Sequence, residues 1–411
     1  NGGLGFLYDF DLAFTDNFAR IREIFTGYYR TPANQPDLNL RFSNVIADLM
    51  IPQRALLGGW AMGIPALYLL ISSVREKSYR QTALLALWAS ALPLVHTHTF
   101  LALGLFSGGY LLGNLVEHRQ DRRGILIRAG LYLGVVLALA LPQLMGNAVK
   151  QTLEGGSLRF QFNWVNNSGG YGFKDFYFWF WVKNAGLPFI LVVCACLCAR
   201  RRGYLDIVLG MTAIYVVAET ILFQPNEYDN NKLLYIWHLL GCLLVASLLM
   251  DWFSKVRAIP WRALGLCLCC FIAMFGSVLT VGREALSDYW QWSADDIAMA
   301  DYIDDNAETD AVFLTSDSHL CPVFSLAGRR ILCGSGSFVY YHGMNYTAEY
   351  NAMHQLYENP DEAPLAQWGI DYVLFDSYVF SNIQNADESW YAARYPLWYE
   401  NGGSRIYKIN G

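Results

Sequence analysis

Charge is what this sequence is short of. Asp, Glu, Lys and Arg make up 16% of its 411 residues, where an ordinary soluble domain carries about 25%. That deficit, with 54% hydrophobic residues and a mean hydropathy of +0.23, excludes an ordinary cytosolic enzyme. There is no basic stripe with base-reading residues, which excludes a nucleic-acid binder. Nine cysteines in 411 residues exclude a disulfide-stapled miniprotein. Internal repeats and low-complexity segments are also missing. The charge that is present is divided unevenly. Residues 1–282 hold 23 basic and 16 acidic residues, a balance of +7, and residues 283–411 hold 6 and 19, a balance of −13. A cationic apolar part followed by an acidic polar part reads as a membrane domain followed by a soluble one.

A membrane helix needs roughly 17–25 mostly apolar residues, because a rise of 1.5 Å per residue must cover about 30 Å of hydrocarbon. Eight stretches approach this, near 54–73, 81–95, 99–117, 129–146, 184–199, 204–222, 233–250 and 263–282. The second is short and contains Pro93, so a kink or half-insertion is expected there. Alternate connections carry the basic residues: Arg75, Lys77 and Arg80; Arg119, Arg122, Arg123 and Arg128; Arg200, Arg201 and Arg202; Lys255, Arg257 and Arg262. The connections between them carry only Lys150, Arg159, Lys174, Lys183 and Lys232 over a greater length. By the positive-inside rule the basic loops are cytoplasmic. The expected fold is therefore an α-helical polytopic membrane bundle of about eight spans followed by a small extracytoplasmic α/β domain. Residues 1–53 form an extracytoplasmic loop segment, 54–282 the transmembrane domain and 283–411 the outer domain. A chain that opens outside with Asn1-Gly2-Gly3 shows no export signal, so an odd number of further spans is expected upstream.

Eleven aromatic residues lie between Phe160 and Trp181. Aromatic rings favour the headgroup zone, so this loop reads as an interfacial element, either an anchoring belt or an entry ramp for a lipid-linked substrate. In the outer part a helix near 294–306 precedes the strand 311–315. A short strand, 330–333, ends at Gly334-Ser335-Gly336-Ser337. Helices near 347–358 and 362–368 lead to the strand 371–376, and residues 405–409 close a partly parallel sheet.

Candidate chemistry gathers at the outer mouth. Glu219 lies near the outer end of the sixth stretch, on one helical face with Thr212 and Tyr215. Ionisable groups in a span are costly and face a bundle interior or a wet cavity. The loop Gln224-Pro225-Asn226-Glu227-Tyr228-Asp229-Asn230-Asn231-Lys232 is dense in donors and carboxylates. Asn231, Tyr235, His238 and Cys242 continue a polar line down the next helix. Such a loop can bind a divalent cation (Mg²⁺ or Mn²⁺) through oxygens, or a phosphate through Lys232; it can also be a well-bonded tight turn. His96 and His98 could share a metal only in an extended turn, since on one helix they point about 200° apart; a hydrogen-bonded turn is the alternative, and no metal ligand is assigned. Asp9-Phe10-Asp11 matches the short DxD pattern of many metal-dependent glycosyltransferases. Outside, His319, Arg329, Arg330, the Gly334–Ser337 turn and His342 gather at strand ends, where ligands favour α/β sheets, but the Gly-Ser run is too short for a phosphate loop and a packing turn is the better explanation. Cys321 and Cys333 could pair in an oxidising compartment.

With these residues in hand, the chain resembles bacterial polytopic proteins of the GT-C glycosyltransferase superfamily. The resemblance rests on Phe223-Gln224-Pro225-x-x-x-Asp229-Asn230-x-Lys232. It extends to Ile51-Pro52-Gln53-Arg54, His96-Thr97-His98-Thr99-Phe100, Leu141-Pro142-Gln143, Gly328-Arg329 and Tyr341-His342-Gly343. It implies an enzyme of the bacterial inner membrane that transfers a sugar from a polyprenyl-phosphate donor to a cell-surface glycan or protein acceptor on the outer face. It implies an inverting transfer, with a carboxylate as base and, in some members, a metal ion. Asp229, Glu219 and Glu227 are then the catalytic candidates. Lys232, Asn230, Asn231, Tyr235, His238, His96 and His98 are the substrate-binding candidates, and Lys232 steadies the donor phosphate. The alternatives are a non-catalytic membrane protein of the same fold that binds or senses a cell-surface polymer, and a transporter.

Overall fold

The computed structural model describes residues 3–9, 17–26, 31–146, 158–168, 170–341 and 344–409. The chain forms two compact units, Asn1–Ser287 and Asp288–Gly411.

The first unit is helical. Its elements are α1 (Asn17–Thr26), α2 (Arg54–Arg75), α3 (Tyr79–Ser90), α4 (Leu92–Val95), α5 (Thr97–Glu117), α6 (Arg122–Gly146), α7 (Tyr177–Ala185), α8 (Leu187–Arg202), α9 (Leu205–Thr220), α10 (Asn231–Ser254) and α11 (Ile259–Leu286). Two short strands, β1 (Arg159–Phe160) and β2 (Ile221–Leu222), pair antiparallel. Five helical segments are long and apolar enough to cross a membrane: Arg54–Arg75, Thr97–Glu117, Arg119–Met145, Glu227–Ser254 and Ile259–Leu286. A sixth span results if the bent pair α7 and α8 counts as one. This falls below the eight expected stretches, for a local reason in each case. The stretch 81–95 is split at Ala91, where α3 ends after 12 residues and Pro93 starts the single turn of α4. Gly186, at φ 70°, turns the chain by 116° between α7 and α8. That leaves α8 with 16 residues. α9 also stops at 16 residues, because the chain becomes extended in β2. A 16-residue helix covers about 24 Å, short of the hydrocarbon core.

The tightest helix crossing is set by small residues. A Cβ on Gly109 would stand 2.3 Å from the Leu209 carbonyl oxygen, and one on Gly113 2.3 Å from the Asp206 Cα. Only hydrogens at these two positions, four apart on α5, let the backbones of α5 and α9 touch. In lipid, where apolar side chains gain nothing by leaving the tails, close packing of this kind is what drives helix association. The contact also fixes opposite ends. α5 begins and α9 ends at the mouth holding His96 and Glu219, and α5 ends where α9 begins, at Asn114 and Asp206.

The second unit is a mixed sheet with helices. Its elements are α12 (Ala294–Asn306), β3 (Val312–Leu314), α13 (Pro322–Ser325), β4 (Arg330–Ile331), α14 (Gly336–Tyr341), α15 (Thr347–Glu358), α16 (Glu362–Gln367), β5 (Tyr372–Phe375), α17 (Ser377–Asn382), α18 (Glu388–Ala392), β6 (Leu397–Asn401) and β7 (Ser404–Lys408). The strand order is β4-β3-β5-β7-β6, parallel across the first three and antiparallel beyond. Strand alternation divides the core into two layers. Leu314, Val373 and Phe375 enter one cluster with Leu356 and Tyr391. Phe313, Tyr372 and Leu374 enter the other with Met299 and Ile303. Ser293 and Asp296 close a capping box at the start of α12, which fixes where that helix begins. β6 escapes the sequence reading; its signal is the Gly402-Gly403 hairpin, with both residues at positive φ.

Candidate functional site

At the polar mouth, Asn226 caps a 3₁₀ turn, Glu227–Asn230, that leads into α10. Lys232 Nζ lies 2.9 Å from Asp229 Oδ1, with the two side chains 12% and 20% exposed. Asn230 is buried and donates to the Ala218 and Ile221 carbonyls, which ties the loop to the end of α9. Its role is therefore a clamp between the loop and the carbonyls where α9 gives way to β2. Asn231 is buried with Oδ1 unbonded among the described residues, and Glu227 is half-exposed.

His96 sits at the break between α4 and α5, extended at φ −162° and ψ 103°, and its ring caps α5 by accepting from the Thr99 amide. Its Nδ1 also bonds Thr99 Oγ1 at 2.8 Å, which leaves Nε2 without a partner. The extended turn brings the His98 ring within 5.4 Å, and Lys232 and Asp229 are within electrostatic reach of His96. α2 comes in against this turn through Gly59, where a Cβ would meet the His96 Cβ at 2.6 Å.

Directly below lies a narrow apolar groove whose enclosed cavity is only about 20 Å³, walled by Trp60, Gly63, Ile64 and Leu67 of α2, Thr99 and Leu103 of α5, and Ile236 and Leu239 of α10. Lys232, Ile236 and Leu239 are spaced four and three apart, so one face of α10 carries both the cation and the groove wall.

Glu219 is 1% exposed, and neither carboxylate oxygen finds a hydrogen bond among the described residues. Tyr177 and Trp181 of α7 and the Asn163 backbone are its polar neighbours, and the Tyr177 hydroxyl also bonds that of Tyr215. His238 is buried against Phe42 and Trp237, and neither ring nitrogen finds a hydrogen bond among the described residues. Tyr235 stacks on Phe42 at 4.6 Å and donates to the Ser43 carbonyl at 2.7 Å, so it anchors a neighbouring segment. The structure therefore brings His96, His98, Asp229 and Lys232 to one place. It sets Glu219 in an aromatic recess beside α7, and His238 behind Phe42.

No known family model matches the chain. No curated relative matches it either. Among solved structures, the chain is similar to an *Archaeoglobus fulgidus* oligosaccharyltransferase tethered to an acceptor peptide, with a TM-score of 0.37 and 12% identity over 98% of this chain and 56% of that one. It is also similar to the oligosaccharyltransferase AglB of the same organism in complex with an inhibitory peptide and a dolichol-phosphate, with a TM-score of 0.39 and 12% identity over 99% and 57%. The chain thus spans a little over half the length of these proteins.

Several residues at the mouth carry no motif. Arg41 donates to the Tyr228 hydroxyl, and its guanidinium lies 5.9 Å from that ring's centre. Lys183 pairs with Asp175 at 2.7 Å and donates to the Leu38 carbonyl at 2.6 Å. Asn184 accepts from the Arg41 and Phe42 amides and donates to the Asn39 carbonyl. Burial alone would raise the Asp175 carboxyl, but Lys183 and Asn39 outweigh it and hold it below the usual range. Residues 161–164 take up the last carbonyls of α9, with Trp164 Nε1 bonding Ala218 and the amides of Gln161 and Asn163 bonding Thr220 and Glu219. The aromatic loop is thus a structural wall of the mouth on its inner side, while Phe160, Phe173, Phe176 and Phe178 remain exposed.

Among the described residues no three His, Cys, Asp or Glu side chains gather around a metal-sized gap, and Asp229 already carries Lys232. Asp9-Phe10-Asp11 and His342 lie outside the residues whose surroundings are described. In the second unit Arg329 is no ligand candidate. It donates to the carbonyls of Asp304, Ala307 and Ala327, which closes the end of α12. His319 packs on Phe338, and Ser335 bonds Ser337. Cys321 and Cys333 are free and lie in the two different core layers, so the sheet separates them.

Proposed function

We propose that this site holds a polyprenyl phosphate and transfers the sugar it carries to an acceptor hydroxyl or amide on the extracytoplasmic face. The observation that carries the reading is the continuous face Lys232–Ile236–Leu239. A lipid phosphate needs an apolar slot ending at a cation, and the groove of α2, α5 and α10 ends at Thr99, beside His96 and Lys232. Lys232 steadies the phosphate, with Arg41 approaching from the other side of the 227–230 turn. His96 Nε2 is free to donate to a phosphate oxygen. Asp229 holds Lys232 in place and gives way as the phosphate binds. Glu219, enclosed and without a cation, is the base for the acceptor proton; a base must lie within about 3 Å of the proton it takes. A buried carboxylate with no counter-ion is costly and is kept where chemistry needs it. The described carboxylates offer Mg²⁺ or Mn²⁺ no ready ligand set.

A transport path is less well served. Below His238, α10 buries Leu240, Gly241, Leu244, Val245 and Leu248, with no polar group to continue a route.

The test is reconstitution of the full chain with a labelled polyprenyl-phosphate sugar and acceptor mixtures. The reading predicts donor consumption that Lys232→Gln removes. Saturable donor binding without turnover points to the polymer-sensing alternative, and the absence of both binding and turnover overturns the reading.

A further inference from the structure

A second cavity lies at the other end of the bundle. It measures about 900 Å³, and Arg75 at the end of α2, Lys77, Arg119 just after α5 and Arg200 in the last turn of α8 form its rim, with Glu117, His118 and Asp121 set among them. Its floor is Asn114 and Asp206, both buried. The α5–α9 crossing described above fixes these floor residues: Asp206 accepts from Asn114 Nδ2 at 3.2 Å and from the Ile207 amide at 2.8 Å, so its charge is spent in starting α9.

Helix ends explain part of this. The C-terminal ends of α2, α5 and α8 carry partial negative charge, and one basic residue at each is ordinary complementation. Two things are left over. Among the rim cations, Lys77 pairs with Asp121, which Arg128 also holds, while Arg75, Arg119 and Arg200 meet no carboxylate among the described residues. The Tyr110 hydroxyl, on a side chain 1% exposed, has no hydrogen-bond partner there either. Its polar neighbours are Arg75, Asn114 and Asp206, all of which line the cavity. An orphaned buried hydroxyl costs about 1–3 kcal/mol, so an occupant that accepts from it is favoured.

We propose that this cavity binds a phosphoryl group, separately from the Lys232 site. Guanidinium forks recognise phosphate in a bidentate way, and a 900 Å³ space suits a phosphorylated headgroup or a small phosphorylated metabolite better than a bare ion. Arg75, Arg119 and Arg200 grip the phosphoryl oxygens, and the Tyr110 hydroxyl backs the floor beside Arg75, Asn114 and Asp206.

The experiment uses the full chain purified in a neutral detergent. One arm counts phosphatidylglycerol against phosphatidylcholine adducts by native mass spectrometry. The other titrates glycerol 3-phosphate by calorimetry. Saturable binding in the first arm assigns a lipid headgroup, and binding in the second assigns a free phosphate; either supports the site. The triple variant Arg75→Gln/Arg119→Gln/Arg200→Gln should weaken binding at least tenfold. The charge-matched control Lys255→Gln/Arg257→Gln/Arg262→Gln should leave it unchanged. If the triple variant does not purify folded, Tyr110→Phe decides, with an expected three- to tenfold loss. Binding in neither arm, equal loss in the control, or unchanged binding in the Arg75 and Tyr110 variants overturns the proposal. None of these readouts depends on Lys232, so failure here leaves the transfer reading untouched.

Discussion

The Asp229–Lys232 pair makes a prediction whose sign is informative. At 2.9 Å and an effective dielectric of about 20, its gross attraction is about 6 kcal/mol. Most of that is offset by lost hydration, and with the side chains 12% and 20% exposed a net of about 1–2 kcal/mol is reasonable. A phosphate that binds Lys232 must displace this partner. Replacing Asp229 by Asn removes the competitor, so polyprenyl-phosphate affinity should rise by about 5- to 30-fold. Replacing Lys232 by Gln deletes a charge-assisted bond worth about 1.5–3 kcal/mol, and affinity should fall by about 10- to 150-fold. The assay is fluorescence anisotropy of a labelled polyprenyl phosphate on the detergent-solubilised full chain, repeated with unphosphorylated polyprenol. The alcohol should show neither effect. Equal losses in both variants would mean that the pair only braces the 227–230 turn, and the phosphate role of Lys232 would fall.

Further expectations concern other parts of the chain. Glu219→Gln should leave the melting temperature nearly unchanged, since it swaps one buried polar group for a neutral isostere, while transfer drops at least about 100-fold; unchanged turnover would remove Glu219 as base. Gly113→Val places carbon where the Asp206 backbone stands, so thermal stability should fall by about 2–3 kcal/mol, whereas Gly104→Val, with open space around it, should be near neutral. Cys321 and Cys333 should stay unbridged and resist iodoacetamide at pH 8, because burial pushes both thiols up to about 11; a disulfide seen by mass spectrometry under native, non-reducing conditions would contradict the two-layer placement. Arg405 holds the Glu388 carboxyl below its usual range through its two-pronged bond, one prong measuring 2.7 Å. Since the folded value is the lower one, this stabilisation is complete above the unfolded pKa of about 4.3 and is lost as pH falls through the folded value. Protection of the β7 amides in the full chain, measured as the exchange rate relative to the intrinsic rate at each pH, should fall on acidification below about pH 4.5, and Arg405→Gln should flatten that dependence.

Much of the second unit was legible because its signals are local. The Ser293 capping box starts α12, and apolar runs bounded by Gly and Asp mark β3 and β5. Legibility failed for β6, whose Leu397–Asn401 run is half-exposed and gains strand character only by pairing with β7. In the first unit, hydropathy located every apolar stretch but not where helices break, because it does not register that Gly186 turns the chain or that residues 221–222 leave the helix to pair with 159–160. The candidate site divides in the same way. Lys232, Asp229 and His96 stood out as polar groups in apolar surroundings. Arg41, Lys183 and Asn184 did not, since charged and amide residues in loops are ordinary until a fold brings them 140 or more positions across to the same mouth.

By itself the sequence determined that this chain has apolar helices of membrane length, that its basic residues mark alternate loops, and that an acidic α/β unit follows. These are one-dimensional properties: run length, charge bias and periodicity act on neighbouring residues whatever lies elsewhere. Only the tertiary structure decided which polar groups share a mouth. Tyr235 and Asn230 became anchors because backbone carbonyls lie within their reach. Glu219 was enclosed away from any cation among the described residues because α7 folds over it with Tyr177 and Trp181. The two cysteines were kept apart because a strand sends alternate residues to opposite faces. The opening deficit of charge has the same two-part reading. Membrane burial explains why charges are few, and the long-range packing of α2, α5, α9 and α10 decides which of the remaining ones come together.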